Sequence, residues 1–90
     1  MNKSELIDVV AEEADLTKVA AARAVDAVFA NIGKALKAGD SVALAGFGSF
    51  VAKVRPARTG RNPKTGEAIA IAESRVPAFK SGKGLKDLLN

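Results

Sequence analysis

The chain has 90 residues, with 14 lysines and arginines, 10 aspartates and glutamates, and no cysteine or histidine. A chain this short builds one small domain whose own core is marginal, and such domains gain stability from disulfides, metals or self-association. The missing residue types exclude disulfides, thiolate metal sites and the commonest general base, which leaves self-association. No apolar run approaches the ~20 residues of a membrane span and the start does not resemble a signal peptide, so we expect an intracellular protein without a cofactor.

Charge is divided unevenly along the chain. Residues 1–52 carry five basic against seven acidic side chains, whereas residues 53–90 carry nine against three. A basic half favours an anionic partner, either nucleic acid or an anionic membrane surface. A charged surface that only keeps the protein in solution is the alternative at this point.

The first 39 residues predict two antiparallel amphipathic helices. Asn2 is a favourable N-cap with Glu5 three residues later, and the apolar stripe that follows predicts a helix over about 3–14. Thr17 is expected to cap a second, longer helix that ends at Gly39. The apolar arc of this helix consists of Ala21, Val25, Val28, Phe29, Ile32, Ala35 and Leu36. We expect its phenylalanine to fill an intrachain core.

From Asp40 onward the apolar pattern is that of strands. Residues 42–44 predict a first strand, and Gly46-Phe47-Gly48 predicts the turn into a second one. Residues 62–66, Asn-Pro-Lys-Thr-Gly, predict a tight turn between two extended segments, and therefore a long hairpin over about 53–75. Nine strand residues reach about 30 Å, against a radius of gyration of about 12 Å for a chain this long, so the hairpin must project.

The last residues predict a returning strand and a short helix. Residues 76–79 have strand character, with Pro77 tolerated at a sheet edge or an irregularity. Ser81 is expected to cap a final helix that includes Leu85, Leu88 and Leu89. Gly84 is expected to weaken that helix by up to ~1 kcal/mol relative to alanine.

Basic side chains are concentrated on the predicted hairpin: Lys53, Arg55, Arg58, Arg61, Lys64 and Arg75. A thin basic ribbon suits a duplex groove and its phosphates, and this one lacks the aromatic platforms of single-strand and RNA binders. Few side chains on it can read base edges, so sequence specificity should be low. Pro63 at the tip either sets the turn or acts as an apolar wedge that kinks a base step. A flexible basic loop is the alternative to a DNA-binding arm.

Four segments of the chain resemble the HU family of bacterial histone-like, nucleoid-associated DNA-binding proteins, and the similarity covers all 90 residues. The segments are 1–7 (MNKSELI), 46–50 (GFGSF), 57–66 (ARTGRNPKTG) and 76–86 (VPAFKSGKGLK). The resemblance implies an α+β fold in a single domain, 1–90, with a helical half over about 1–39. It also implies an intertwined dimer with a helical base, a small antiparallel sheet saddle and one long protruding β-hairpin arm per chain.

The resemblance further implies which residues form the dimer interface and the DNA contacts. Phe47, Phe50 and Phe79 lie in or beside strands too few to enclose them in one chain, and match residues that pack across the dimer interface. Four arm residues match minor-groove and backbone contacts, namely Arg55, Arg58, Arg61 and Asn62. Pro63 matches the intercalating tip proline, and Lys3, Lys80, Lys83 and Lys86 match contacts to phosphates along the bent flanks. Lys53, Lys64 and Arg75 join the set because of their charge on or beside the hairpin. The predicted DNA-binding set is Lys3, Lys53, Arg55, Arg58, Arg61, Asn62, Pro63, Lys64, Arg75, Lys80, Lys83 and Lys86. Glu67 departs from the family pattern and should either repel phosphate or pair with a neighbouring arginine.

The implied function is non-sequence-specific binding and bending of duplex DNA, which compacts the nucleoid and constrains supercoils in the cytoplasm. The expected partner is double-stranded DNA, preferably bent, nicked or distorted, bound by a homodimer or a heterodimer with a paralogue; RNA binding stays open. No membrane partner is expected, because the second helix mixes basic and acidic residues on its polar face, unlike a membrane-surface helix. Integration host factor, which bends specific sites, is the nearest alternative. An enzyme is a distant one, because Gly46-Phe47-Gly48 lacks the Lys-Ser/Thr of a phosphate-binding loop. We therefore expect no catalytic residue and no metal site.

Overall fold

The computed structural model describes all 90 residues and shows three helices and five strands. In chain order these are α1 (Lys3–Glu13), α2 (Lys18–Lys37), β1 (Val42–Leu44), β2 (Gly48–Arg55), β3 (Arg58–Arg61), β4 (Ala68–Ile71), β5 (Ser74–Ser81) and α3 (Lys83–Leu89). The strands form two antiparallel sheets, so the α+β class is confirmed. The chain divides into two compact units, Met1–Lys34 and Ala35–Asn90.

Both long helices begin at the predicted caps. The Asn2 side-chain oxygen accepts a hydrogen bond from the Glu5 amide at 2.9 Å, which satisfies one of the free N–H groups of the first turn. The Thr17 hydroxyl oxygen accepts from the Ala20 amide at 3.1 Å in the same way. The capping residues therefore fix where each helix starts.

Two ion pairs link α1 and α2 inside the first unit. Lys3 pairs with Asp26, and Lys18 pairs with Asp8 at 3.6 Å. Moving forward along α1, the partners move backward along α2, which confirms the predicted antiparallel order. Small side chains form the buried part of these helices, namely Ala11, Ala21 and Val25.

The prediction that Phe29 fills an intrachain core is wrong. Half of its accessible surface remains exposed in the single chain. Val28 beside it is exposed to a similar extent, so only part of the apolar arc of α2 is covered. The periodicity identified the apolar arc correctly. A helical pattern does not show, however, whether other elements of the same chain cover that arc.

The larger sheet has the strand order β1-β2-β5, with β2 in the centre. β2 and β5 pair along their full length, from Gly48 opposite Ser81 to Arg55 opposite Ser74. Pro77 lies in β5 opposite Ala52. Because β5 is an edge strand, a residue without an N–H group is tolerated there, as the sequence predicted.

Ser81 does not cap the last helix, contrary to the prediction. It is the final residue of β5, and Gly82 is the N-cap, without a side-chain hydrogen bond. The Gly82 amide donates instead to the Phe47 carbonyl at 2.7 Å. A Cβ at this position would lie 2.9 Å from the Phe47 carbonyl carbon, so the close approach of two backbones selects glycine over a serine cap.

The smaller sheet is the two-stranded hairpin of β3 and β4, which continues from the outer ends of β2 and β5. Its register runs from Arg58 opposite Ile71 to Arg61 opposite Ala68. The predicted long hairpin is therefore present, but in two sections. We call residues 56–73 the arm.

Candidate nucleic-acid interface

The two arginines of β3 lie on opposite faces of the arm. Side chains alternate along a strand, so Arg58 shares a face with Ile71, whereas Arg61 shares the other face with Ala68. Both arginines are exposed. The arm thus presents a guanidinium on each side, and a groove that encloses it would place phosphates near both faces.

The tip of the arm is closed by hydrogen bonds from its own residues. The Asn62 amide donates to the Glu67 carbonyl at 2.8 Å, and the Gly66 amide donates to the Asn62 carbonyl at 2.7 Å. The Asn62 side-chain oxygen accepts from the Lys64 amide at 2.9 Å, which is an Asx turn. Gly66 has φ of +74°, as the turn prediction requires. The tip is therefore a built turn that leaves Pro63 exposed.

Two of the predicted DNA-contacting side chains have intramolecular partners at this tip. The Asn62 side-chain oxygen is occupied by the Asx turn, and Arg61 Nη1 donates to the Gly66 carbonyl at 3.1 Å. Asn62 is half-buried, unlike the other residues of the predicted set, which are exposed. These two side chains therefore shape the tip in addition to any contact they make with DNA. The sequence indicated this role only for Asn62, through the general tendency of asparagine to form such turns.

Both strands of the hairpin are interrupted at the same level. β2 ends at Arg55 and β3 begins at Arg58, while β4 ends at Ile71 and β5 begins at Ser74. Two residues are unpaired on each side, and Pro56 is one of them. Since no ladder pairing spans this level, the arm is joined to the larger sheet by two short linkers.

The larger sheet separates basic from aromatic side chains. Paired residues share a face, so Lys53 and Arg55 lie on one face together with Lys80, which is opposite Ser49. Phe50 and Phe79 pair directly on the other face. Of the predicted phosphate contacts in this sheet, only Arg75 lies on the aromatic face, because it is paired with Val54.

Three phenylalanines form a cluster on the aromatic face. The ring centroid of Phe79 lies 4.9 Å from that of Phe50 and 5.7 Å from that of Phe47, both at tilted angles. These separations are typical of favourable aromatic pairs. Phe79 and Phe47 nevertheless keep 42% and 49% of their surface exposed, so the single chain does not enclose the cluster.

The remaining predicted contacts lie outside the strands of the arm and are exposed. Lys83 and Lys86 are on α3, and Lys64 is at the tip. Lys3 is in the first unit, where it is paired with Asp26. A phosphate contact by Lys3 would therefore compete with an existing ion pair for the ammonium group.

Glu67 does not pair with an arginine of the arm. The only two ion pairs in the chain are those between α1 and α2. Glu67 contributes its backbone to the tip, since its amide donates to the Thr65 hydroxyl at 3.3 Å and its carbonyl accepts from Asn62. Its carboxylate stays exposed beside the tip.

Two other kinds of feature are absent from the structure. No group of three or more His, Cys, Asp or Glu side chains is placed to hold a metal ion. No helix combines the length and apolarity needed to cross a bilayer. The features that point to a partner are the basic arm, the basic sheet face and the aromatic cluster.

Comparison with known proteins agrees with these features. The family model for bacterial DNA-binding proteins matches residues 1–90. The DNA-binding protein HU-beta of Serratia marcescens is 61% identical over 90 residues, which are the whole of both chains, and HU-beta of Escherichia coli strain K12 is 58% identical over the same span. The solved structure of an Anabaena HU–DNA cocrystal matches with a TM-score of 0.87 and 48% identity, over 99% of this chain and 97% of that chain. With a family match and close relatives along its full length, the chain belongs to the HU family of bacterial DNA-binding proteins.

Proposed function

We propose that this protein binds duplex DNA without sequence specificity and bends it, acting as an architectural protein of the bacterial nucleoid. The observation that carries this proposal is the arm, which presents exposed arginines on both faces and an exposed proline at a closed tip. Membership of the HU family supports it, and because this family consists of structural DNA-binding proteins, the enzyme alternative is set aside.

Binding would depend on phosphates. The basic side chains of the arm, of one sheet face and of α3 would replace condensed counterions along the duplex, so affinity should fall steeply with salt. The contacts we assign to this surface are Lys53, Arg55, Arg58, Arg61, Lys64, Lys80, Lys83 and Lys86, together with Lys3, for which phosphate would compete with Asp26. The arm carries few amide or carboxylate side chains able to read base edges, which favours a sequence-blind mode.

Bending would come from the tip. Pro63 is exposed on a turn closed by backbone hydrogen bonds, which suits an apolar wedge that enters a base step of the minor groove. Unstacking costs a few kcal/mol per step and is offset by phosphate contacts that the bend brings to the protein. Distorted or nicked duplexes should therefore bind more tightly, because part of the deformation is already made.

The exposed phenylalanine cluster supports a dimer. Large aromatic side chains left half-exposed in one chain are typical of surfaces that a partner covers. A second copy of this chain, or a paralogue, would bury Phe47 and Phe79 and give two arms that hold one duplex. Residues 1–90 would then act as a single DNA-binding domain within each half of the dimer, located on the nucleoid in the cytoplasm.

Fluorescence anisotropy with three labelled duplexes tests the function directly. Two duplexes have unrelated sequences, and the third repeats one of them with a single nick. We expect equal affinity for the intact duplexes, a steep loss between low and near-physiological salt, and tighter binding to the nicked duplex. A strong preference for one intact sequence would favour site-specific bending like that of integration host factor, and absence of binding at low salt would refute DNA binding. Competition with an RNA duplex of the same sequence measures any RNA affinity.

A further inference from the structure

Arg75 differs from the other basic residues near the arm in the side of the sheet from which it projects. It is paired with Val54, on the face that carries Phe50 and Phe79. Lys53 and Arg55, one residue away on either side of that valine, lie on the opposite face. A duplex that follows the basic face would therefore not meet the Arg75 side chain.

The Arg75 side chain already has a partner on its own face. Its Nη2 donates a hydrogen bond to the Lys37 carbonyl at 3.1 Å. Lys37 is the last residue of α2, and it lies 38 positions away along the chain. It is the only hydrogen bond between a side chain and the backbone that joins residues more than five positions apart.

The bond completes the C-terminus of α2. The last carbonyls of a helix lack intrahelical partners and must be satisfied from outside. Those of Ala35 and Leu36 accept from the Asp40 and Gly39 amides, at 2.9 and 3.1 Å, in the loop that follows. The Lys37 carbonyl accepts from Arg75. A guanidinium also carries the charge that is favoured at a helix C-terminus, where the partial charge is negative.

The position of Arg75 in β5 relates this bond to the arm. β5 begins at Ser74, whose pairing with Arg55 is the last before the interruption. Arg75 is the next residue, so the contact with α2 holds the strand one position from the level at which ladder pairing stops.

We propose that Arg75 is a positioning residue that fixes the base of the arm to the end of α2 and makes no contact with phosphate. This inference rests on the proposed function and adds to it, because it assigns to one basic residue the role of setting the direction in which the arm projects. Losing the bond would let the outer end of β5 move and would widen the range of directions from which the arm reaches DNA.

Arg75→Ala and Arg55→Ala form a matched pair for the test. Both replace an exposed arginine at adjacent levels of the β2–β5 ladder, but on opposite faces. We expect Arg75→Ala to lower the melting temperature of the free protein by a few degrees and to leave the salt dependence of DNA binding unchanged. We expect Arg55→Ala to leave the melting temperature within about one degree of the parent value and to reduce the slope of log K against log salt by about 0.9 for each phosphate that the variant no longer neutralises.

The bend of a doubly labelled duplex separates positioning from simple stabilisation. Energy transfer is measured at saturating protein, well below the melting temperatures of both variants. We expect a smaller or broader bend with Arg75→Ala, whereas a residue that only stabilises the fold would leave the bend unchanged. An unchanged bend, an unchanged melting temperature, or a salt slope reduced as in Arg55→Ala would each overturn the proposal.

The melting temperature and the amide exchange of Gly39 and Asp40 are read without DNA. A lower melting temperature and faster exchange in Arg75→Ala would report the loss of the bond between Arg75 and α2, even if the parent protein binds no duplex. Failure of the proposed function would appear as absence of binding by the parent protein, and is therefore distinguishable from failure of the assignment of Arg75.

Discussion

The first turn of α3 and the turn between β1 and β2 approach so closely that Gly84 leaves no room for a side chain. The Leu85 amide donates to the Gly46 carbonyl at 3.0 Å. A Cβ at Gly84 would lie 2.5 Å from that carbonyl oxygen. Gly84 is thus required by the packing of α3, and the expected weakening of this helix relative to alanine does not apply.

Gly84→Ala should therefore destabilise the protein, although alanine is the better helix former. Overpacking of this kind costs about 1–3 kcal/mol and should lower the melting temperature by several degrees. Gly33→Ala is the matched control, because the same substitution in α2 meets nothing within 4 Å and should stabilise by about 0.5–1 kcal/mol. Thermal unfolding followed by circular dichroism measures both. Equal shifts in the two variants would contradict the role given to Gly84.

The side chain of Asn62 should act on the tip before any DNA is present. Asn62→Ala removes the acceptor of the Lys64 amide, so exchange of the Lys64 and Gly66 amides should accelerate several-fold while the melting temperature stays unchanged. Asn62→Asp keeps a side-chain oxygen and should restore most of the protection. If Asn62→Ala left amide exchange unaltered, the asparagine would serve DNA contact alone.

The arm is a regular hairpin that carries one arginine on each of its two faces. Gly60 lets Ile71 pack across the strand, since a Cβ there would lie 2.7 Å from Ile71 Cδ1. The arginines flank this apolar contact along β3. Because a two-stranded hairpin buries few side chains, the arm is only marginally stable by itself. Its stability should increase when a partner covers it.

Each arginine of β3 should contribute separately to the salt dependence of DNA binding. Arg58→Ala and Arg61→Ala should each lower the slope of log K against log salt by about 0.9 per phosphate contact, which is doubled for a dimer. Arg61→Ala should also loosen the tip, because it removes the bond to the Gly66 carbonyl. Thr59→Ala, between the two on the same strand, is the control. Slopes equal to that of the parent protein would mean that the arginines remain solvated in the complex.

Replacement of the tip proline should separate bending from affinity. Pro63→Ala keeps the hydrogen bonds that close the turn, since proline donates none, but removes the wedge. We expect a clearly smaller bend by energy transfer on a doubly labelled duplex, with a smaller relative loss of affinity. Equal bend angles for the variant and the parent protein would show that Pro63 only shapes the turn.

At the scale of the whole molecule, sequence reasoning was most accurate where the determinants are local. Caps at Asn2 and Thr17, the turn glycines and the alternating strands specify their elements without reference to distant residues. It was inaccurate where backbone atoms far away along the chain select the residue type, as for the N-cap at Gly82 in place of Ser81. It was also inaccurate where burial depends on surface from another element, as for Phe29. The partner of Arg75 was missed for the same reason, because Lys37 is far away along the chain.

Self-association should depend on the aromatic cluster. Phe79 contacts both other rings, so Phe79→Ala should weaken a dimer by at least about 2 kcal/mol, or roughly 30-fold in the dissociation constant. Sedimentation equilibrium measures this, with circular dichroism to check folding and Phe79→Leu as the milder variant. Ile69→Ala, an exposed apolar residue on the arm, is the control. A monomeric parent protein would refute the dimer.

Because both strands of the hairpin are interrupted at the same level, the arm can be exchanged as a unit between related proteins. The same number of residues is unpaired on each strand, so the pairing of Arg55 with Ser74 passes to that of Arg58 with Ile71 without a change of register. Residues 56–73 thus form a cassette whose two junctions are in phase. A graft that joins both junctions at matching positions preserves which side chains lie on each face of the arm, whereas deletion of one residue from a single linker would put the two junctions out of phase.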